Sequence, residues 1–251
     1  MSKWLFDLGN SRLKCAPLHD DGSIGEVIAL AHDASDFLEK LQAALPAHAD
    51  SACLSSVASP ALTTAVVEVL ASRYQRVSLA RSVAQLAGVR IAYADPSRLG
   101  VDRFLTLLAA HARAPGAWVV AGVGTALTID LLDAQGRHQG GRIAPSPRVM
   151  RQALQQAAAH LPVQGGDYRE FASDTLDALT SGCEGAALGL IERSLRLAAE
   201  TLGEVPGLLL HGGGAAALVP HFPQARHAPA LVLEGLALWA RAGTVYPDDA
   251  A

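Results

Sequence analysis

Twice in this chain, about half its length apart, an apolar strand-like run ends in a tight turn of glycine and small hydroxyl residues, then resumes as a second strand. The first is Trp4-Leu5-Phe6-Asp7-Leu8-Gly9-Asn10-Ser11-Arg12-Leu13-Lys14. The second is Trp118-Val119-Val120-Ala121-Gly122-Val123-Gly124-Thr125-Ala126-Leu127-Thr128-Ile129-Asp130. A hairpin of this kind offers backbone N–H groups and hydroxyls to a phosphate chain. Two of them facing each other across a cleft can hold a nucleotide from both sides. The pair predicts a phosphate-handling enzyme built from two related halves.

The rest of the chain fits a duplicated α/β protein. Its 251 residues, half of them hydrophobic, suffice for one large core or two small ones. After the first hairpin a third strand is expected near Ile24 to Leu30. A helix follows over Asp36 to Leu45, with Phe37, Leu38, Leu41 and Leu45 on one side. Ser51 to Val57 reads as a buried strand. Ser59-Pro60 opens a helix from Ala61 to Tyr74, because serine caps and proline suits the first turn. Val77 to Leu79 is a short strand, Asp95 to Gly100 a loop, and Val101 to Arg113 an apolar helix. Ala114-Pro115-Gly116 breaks that helix and marks the boundary, giving domains 1–115 and 116–251. The second half repeats hairpin, turn (Asp133 to Gly136) and third strand (His138 to Ile143). Helices are expected at Pro147 to His160, Cys183 to Leu202 and Leu231 to Ala242, and a strand at Leu208 to His211. Tyr246 to Ala251 reads as a loose tail.

Several classes are disfavoured. The net charge is −4 and no basic run stands out, so nucleic acid is not an expected partner. Cys15, Cys53 and Cys183 show no zinc or disulfide spacing and are expected to be reduced, buried thiols. No signal peptide or membrane-length apolar run is read, so a cytoplasmic protein without a membrane partner is expected.

Four segments can carry chemistry. Asp7 precedes the hairpin glycine by two residues. A carboxylate there could hold a hydrated Mg²⁺ against nucleotide phosphates, since that ion keeps most of its waters. Gly9 lets a backbone approach a phosphate, and Asn10 and Ser11 add polar contacts; an ordinary turn shaped by the same residues is the alternative. Gly122, Gly124, Thr125, Thr128 and Asp130 form a richer set, either a phosphate hairpin or a tight turn with packed threonines. Gly100-Val101-Asp102-Arg103 sets an acid beside a base at a helix start. Asp102 could be a general base and Arg103 a fork for a carboxylate. Equally, Asp102 could answer only to the helix dipole, with Arg103 a surface residue. Gly212-Gly213-Gly214 could make room for an adenine or ribose, or be a plain loop. The histidines show no ligand spacing and read as structural or solvated.

In order, these pieces resemble the type III pantothenate kinases, members of the actin, sugar-kinase and heat-shock ATPase superfamily. The likeness runs from Trp4 to Trp239. It rests on Asp7-Leu8-Gly9-Asn10-Ser11, Gly100-Val101-Asp102-Arg103, Gly124-Thr125-Ala126-Leu127-Thr128-Ile129-Asp130, Gly140-Gly141-Arg142-Ile143-Ala144-Pro145, Ser181-Gly182 and the turn at Gly212. The resemblance implies two tandem ribonuclease-H-like domains with a nucleotide cleft between them. It implies ATP-dependent phosphorylation of the primary hydroxyl of pantothenate, the first step of coenzyme A synthesis, with Mg²⁺, by a homodimer whose substrate pocket lies near the subunit interface. Asp7, Leu8, Gly9, Asn10, Ser11, Arg12, Leu13 and Lys14 would form the first phosphate hairpin, and Thr125 would contact ATP from the second. Asp102 would be the catalytic base. Tyr93, Gly100, Val101, Asp102, Arg103 and Thr175 would bind pantothenate.

Three positions depart from the family pattern. Ser11 stands where threonine is usual, which keeps the hydroxyl. Ser146 ends the glycine-rich piece where a glycine is usual. Gly122 stands where the family has an aspartate that binds K⁺ or NH₄⁺, so the expected monovalent cation lacks its protein ligand. Water, a backbone carbonyl or Asp130 are the candidate replacements. The missing ligand also motivates a second reading, a nucleotide-binding accessory protein on the same fold, beside a third, a kinase for another small hydroxy acid.

Overall fold

The computed structural model describes residues 2–242; the tail from Tyr246 to Ala251 lies outside them. The chain opens with strands β1 (Lys3–Leu8), β2 (Arg12–Leu18) and β3 (Ile28–Ala31), then helix α1 (Phe37–Ala44). Strand β4 (Ala49–Ser56), helix α2 (Pro60–Ala71) and strand β5 (Tyr74–Leu79) follow, then a small ribbon of β6 (Gln85–Leu86) and β7 (Val89–Arg90). Helix α3 (Val101–Arg113) leads to β8 (Trp118–Val123), β9 (Ala126–Leu132) and β10 (His138–Pro145). Helices α4 (Pro147–Ala157) and α5 (Thr175–Leu202) precede β11 (Gly207–His211), α6 (Ala215–Leu218), β12 (Arg226–His227) and α7 (Leu231–Ala242).

The two five-stranded sheets have the same order. The first runs β3-β2-β1-β4-β5 and the second β10-β9-β8-β11-β12. In each, the first three strands are antiparallel and the last two join in parallel. The expected duplication of hairpin, third strand and helices is therefore a duplication of topology.

Alternation along the strands sorts each sheet into two faces. In the first, Phe6, Leu8, Leu13, Cys15, Ala52 and Leu54 share a core with Phe37 and Leu41 of α1 and Val66 and Leu70 of α2. Asp7, Lys14 and Ser55 fall on the opposite face, the one that meets α3 and α7. In the second, Val119, Ala121, Val123, Leu127, Ile129, Leu208 and Leu210 pack on Ala187, Leu188 and Ile191 of α5. Gly122, Thr128 and His211 then share the other face. All three cysteines are buried free thiols; burial pushes Cys15 up to about 12, which leaves it unreactive.

The described residues form two compact units, one from residues 2–114 with 230–242, the other from Pro115–Pro229. The sequence reading assigned the terminal helix to the second half; the structure packs α7 on α3 in the first. A Cβ on Gly235 would stand 1.9 Å from the Leu105 carbonyl oxygen, so the helices cross where only glycine fits. Arg113 seals the crossing with a two-pronged pair to Glu234 at 2.8 and 2.6 Å. Helix α5 also begins eight residues before the expected Cys183, because the Asp174 carboxylate accepts the Leu176 and Asp177 N–H groups and caps it.

Candidate active site

The first hairpin carries an acid on its sheet face. Asp7 pairs across β2 with Lys14 and along β4 with Ser55, whose buried hydroxyl donates to Asp7 Oδ1 at 3.1 Å. Burial, and then the charge of Asp102, raise the Asp7 pKa to about 6, against the opposing pull of Ser55 and Lys14. The turn closes with the Gly9 N–H donating to the Arg12 carbonyl at 3.0 Å, and His32 Nε2 lies 2.9 Å from the Gly9 carbonyl oxygen. Asn10, Ser11 and Arg12 are exposed at the tip. Leu8 and Leu13 are fully buried, so only their backbone could touch a phosphate.

Asp102 reaches this face from α3. The 3-10 turn Pro96–Arg98, capped by Asp95, leads into the helix, and Ser82 donates to the Leu99 carbonyl at 2.7 Å to fix the approach. Asp102 Oδ1 accepts the Arg103 N–H at 2.8 Å. A Cβ on Gly100 would stand 2.7 Å from that same oxygen, so glycine lets the carboxylate fold back over the helix start. Arg103 is not the surface residue of the bland alternative: it is 6% exposed. Its Nη1 donates to Tyr93 Oη at 3.3 Å, and its guanidinium lies 5.9 Å from the centre of that ring. A buried arginine is costly unless paired, which marks this one as purposeful.

The first unit thus gathers Asp7, Lys14, Tyr93, Asp102 and Arg103, and adds Ser55, which sequence reasoning passed over. Its sign was a hydroxyl inside an otherwise buried strand. Thr125 and Thr175 belong to the second unit. Thr125 is exposed at the tip of the second hairpin, which closes with the Gly124 N–H on the Ala126 carbonyl at 2.9 Å. Thr175 is exposed at the first position of α5. Asp130 is buried and bonded to His138 Nε2 at 3.0 Å. Ser146 caps α4 by accepting the Val149 N–H, so its departure from the glycine pattern has a local use. The glycine turn after β11 presses on the second hairpin: Gly214 N–H donates to the Val123 carbonyl at 2.9 Å. His211, just before that turn, lies beside Gly122 on the neighbouring strand; the sequence reading had the histidines as structural or solvated.

For a metal, the described residues offer no cluster of three histidine, cysteine or acidic groups. Asp7 alone suits Mg²⁺, which needs few protein ligands.

Comparison with known proteins bears on the family of the chain. The description of type III pantothenate kinases matches residues 4–196. The type III pantothenate kinase of Stenotrophomonas maltophilia (strain K279a) is 56% identical over 240 residues, 96% of this chain and 98% of that one. The enzyme of Xanthomonas campestris pv. campestris (strain B100) is 58% identical over 240 residues, with the same coverage. Among solved structures, a Campylobacter jejuni protein assigned to the Baf family of transcriptional activators aligns with TM-score 0.63 at 18% identity, over 97% of this chain and 100% of that one. An archaeal actin homologue aligns with TM-score 0.53 at 11% identity, over 96% and 99%. These two show the fold alone, an actin-like α/β fold of two domains. The identity to the curated enzymes goes further, and this chain belongs to the type III pantothenate kinase family.

Proposed function

We propose that this protein transfers the γ-phosphoryl group of ATP to the primary hydroxyl of pantothenate, the first step of coenzyme A synthesis, in the cytoplasm. The observation that carries the reading is family membership along nearly the whole chain, joined to a carboxylate pair in which Asp102 is close enough to perturb Asp7.

Phosphoryl transfer depends on positioning and charge neutralisation. Asp102 accepts the proton of the attacking hydroxyl. Arg103, steadied by Tyr93, grips the pantothenate carboxylate, with Gly100 and Val101 lending backbone and Thr175 assigned to substrate by resemblance. Residues Asp7 to Lys14 present N–H groups, Asn10, Ser11 and Lys14 to the phosphates, and Thr125 is a further ATP contact. Mg²⁺, held by Asp7, supplies charge neutralisation when bound. The Asp7 pKa of about 6 leaves the carboxylate mostly ionised at neutral pH, ready for that role.

A homodimer accounts for the second unit's apolar face. Helix α4 buries none of its residues within the chain, yet an amphipathic helix of this kind needs a covered stripe. Its Val149, Met150 and Leu154 join Pro145, Leu179 and Cys183 around a groove of about 480 Å³. A second copy would cover it.

The test is ADP release coupled to pantothenate, with Mg²⁺ and ATP. Pantothenate-dependent turnover supports the kinase. ATP binding without transfer to pantothenate would instead favour an accessory protein, and transfer only to another hydroxy acid would move the substrate. Light scattering checks the dimer, which Leu154→Glu should split.

A further inference from the structure

The duplicated topology makes position 122 the counterpart of position 7. Each lies two residues before its hairpin glycine. Each has one antiparallel partner, Lys14 or Thr128, and one parallel partner, Ser55 or His211. At position 7 the chain places a carboxylate, as the resemblance would at position 122 to hold a monovalent cation.

The residues present do not fit that ion. Position 122 has no side chain, and the room for one is taken. A Cβ there would stand 2.7 Å from His211 Nε2, 2.9 Å from His211 Cε1 and 2.8 Å from Thr128 Oγ1. The replacement acid named above, Asp130, is buried against His138.

The imidazole is also held there. Gly212 follows with φ of +93°, and its Cβ would stand 2.5 Å from the Val123 carbonyl oxygen. That conformation and contact admit only glycine. The Gly214 N–H then bonds the same carbonyl. The turn therefore clamps β11 to the hairpin, and His211 half-buried beside it. The hairpin itself, from Gly122 to Thr128, contains no charged residue.

We propose that His211 takes the place of the monovalent cation: its imidazole is the built-in hydrogen-bond donor at the second phosphate hairpin, a contact for the ATP phosphates that frees the enzyme from K⁺. This rests on the kinase reading above.

The experiment is steady-state turnover of the full chain with Mg²⁺-ATP and pantothenate, in KCl and again in tetramethylammonium chloride. The unmodified enzyme should turn over at rates within about twofold in the two salts. His211→Ala and the bulk-preserving His211→Gln, both checked for folding by melting temperature, should raise the KM for ATP about tenfold, as loss of a charge-assisted contact does, and move kcat less. Free imidazole should restore part of the lost affinity to His211→Ala, which a merely structural histidine would not allow. A strict K⁺ requirement in the unmodified enzyme overturns the proposal; so does an unchanged KM for ATP in both folded variants. No turnover at all in either salt is the failure of the kinase reading instead. Titration with a fluorescent ATP analogue then decides the role of His211 by itself: about tenfold weaker binding in the variants supports it, equal binding overturns it.

Discussion

The two hairpins are the same device with opposite chemistry. Both close through a glycine N–H, both lie on the first two strands of a five-stranded sheet, and both have a parallel strand alongside. The first turns an acid to its sheet face, backed by a buried serine and joined by a second acid from α3. The second turns no side chain at the equivalent place and receives an imidazole from its parallel neighbour. A carboxylate suits a divalent cation and a substrate proton, whereas an imidazole suits an anion. One strand order occurs twice, and a few residues on one face of each sheet set the two apart.

The strongest way to break this division is at Asp102. Asp102→Asn keeps the helix start and removes the proposed base, so kcat should fall about 10³-fold, equivalent to ~4 kcal/mol, with the melting temperature nearly unchanged. Turnover within about threefold of the unmodified enzyme would deny the first unit its assigned chemistry.

Next in size is the crossing that brings α7 to the first unit. Gly235→Val drives a branched side chain into the Leu105 backbone and should cost about 3 kcal/mol. Hydrogen exchange should then rise in α3 and α7 before it rises in α5. Uniform loss of protection, or none, would argue against two units with this division of the chain.

Asp7 offers a test through pH. Its folded pKa of about 6 lies above the ordinary value of 3.8, so the folded state binds this proton more tightly than the unfolded chain. The contribution to stability is complete below about pH 4 and is lost as pH rises through 6. Asp7→Asn lacks that loss. At pH 7 and without Mg²⁺ it should be the more stable protein by about 1–2 kcal/mol, after allowance for partial solvent screening, with the gap closing near pH 4. The same variant should bind Mg²⁺-ATP more weakly. A gap that stayed constant with pH would mean that Asp7 is not strained by its surroundings, and the contrast with Gly122 would lose its meaning.

Much of this was readable before any coordinates. Alternation and turn residues located both hairpins, and the run after Gly100 located α3 to its last residue. Ser59-Pro60 marked the start of α2. What escaped reading came from pairing between segments remote in sequence. Ser55 reaches Asp7 from a strand 48 residues away, and His211 reaches Gly122 from later still. Neither pairing leaves a local period. The burial of Arg103 depends on Tyr93 and its loop, so the sequence there fits a surface residue equally well. The allegiance of α7 turns on a single glycine, whose reason is the backbone of Leu105. Local patterns fixed elements, while the chemistry of each hairpin was set by a neighbour that only the sheet order supplies.

The smallest contrast uses a motif that both units share. Ser59-Pro60 opens α2 and Ser146-Pro147 opens α4, and each serine hydroxyl accepts the N–H three residues on, at 3.3 and 3.4 Å. Sequence alone would give the two caps equal worth. Their surroundings differ: Ser59 is exposed, while Ser146 is 1% exposed. Replacing Ser59 by alanine lets water take the Leu62 N–H, so the loss should be about 0.5 kcal/mol. Replacing Ser146 removes a buried cap and leaves the Val149 N–H in a part-buried setting, and the loss should approach ~1.5 kcal/mol. Paired denaturant titrations of the two variants measure the difference directly. Equal losses would mean that the cap at α4 is solvated in solution, and hence that the face α4 presents is more open than a subunit interface would leave it.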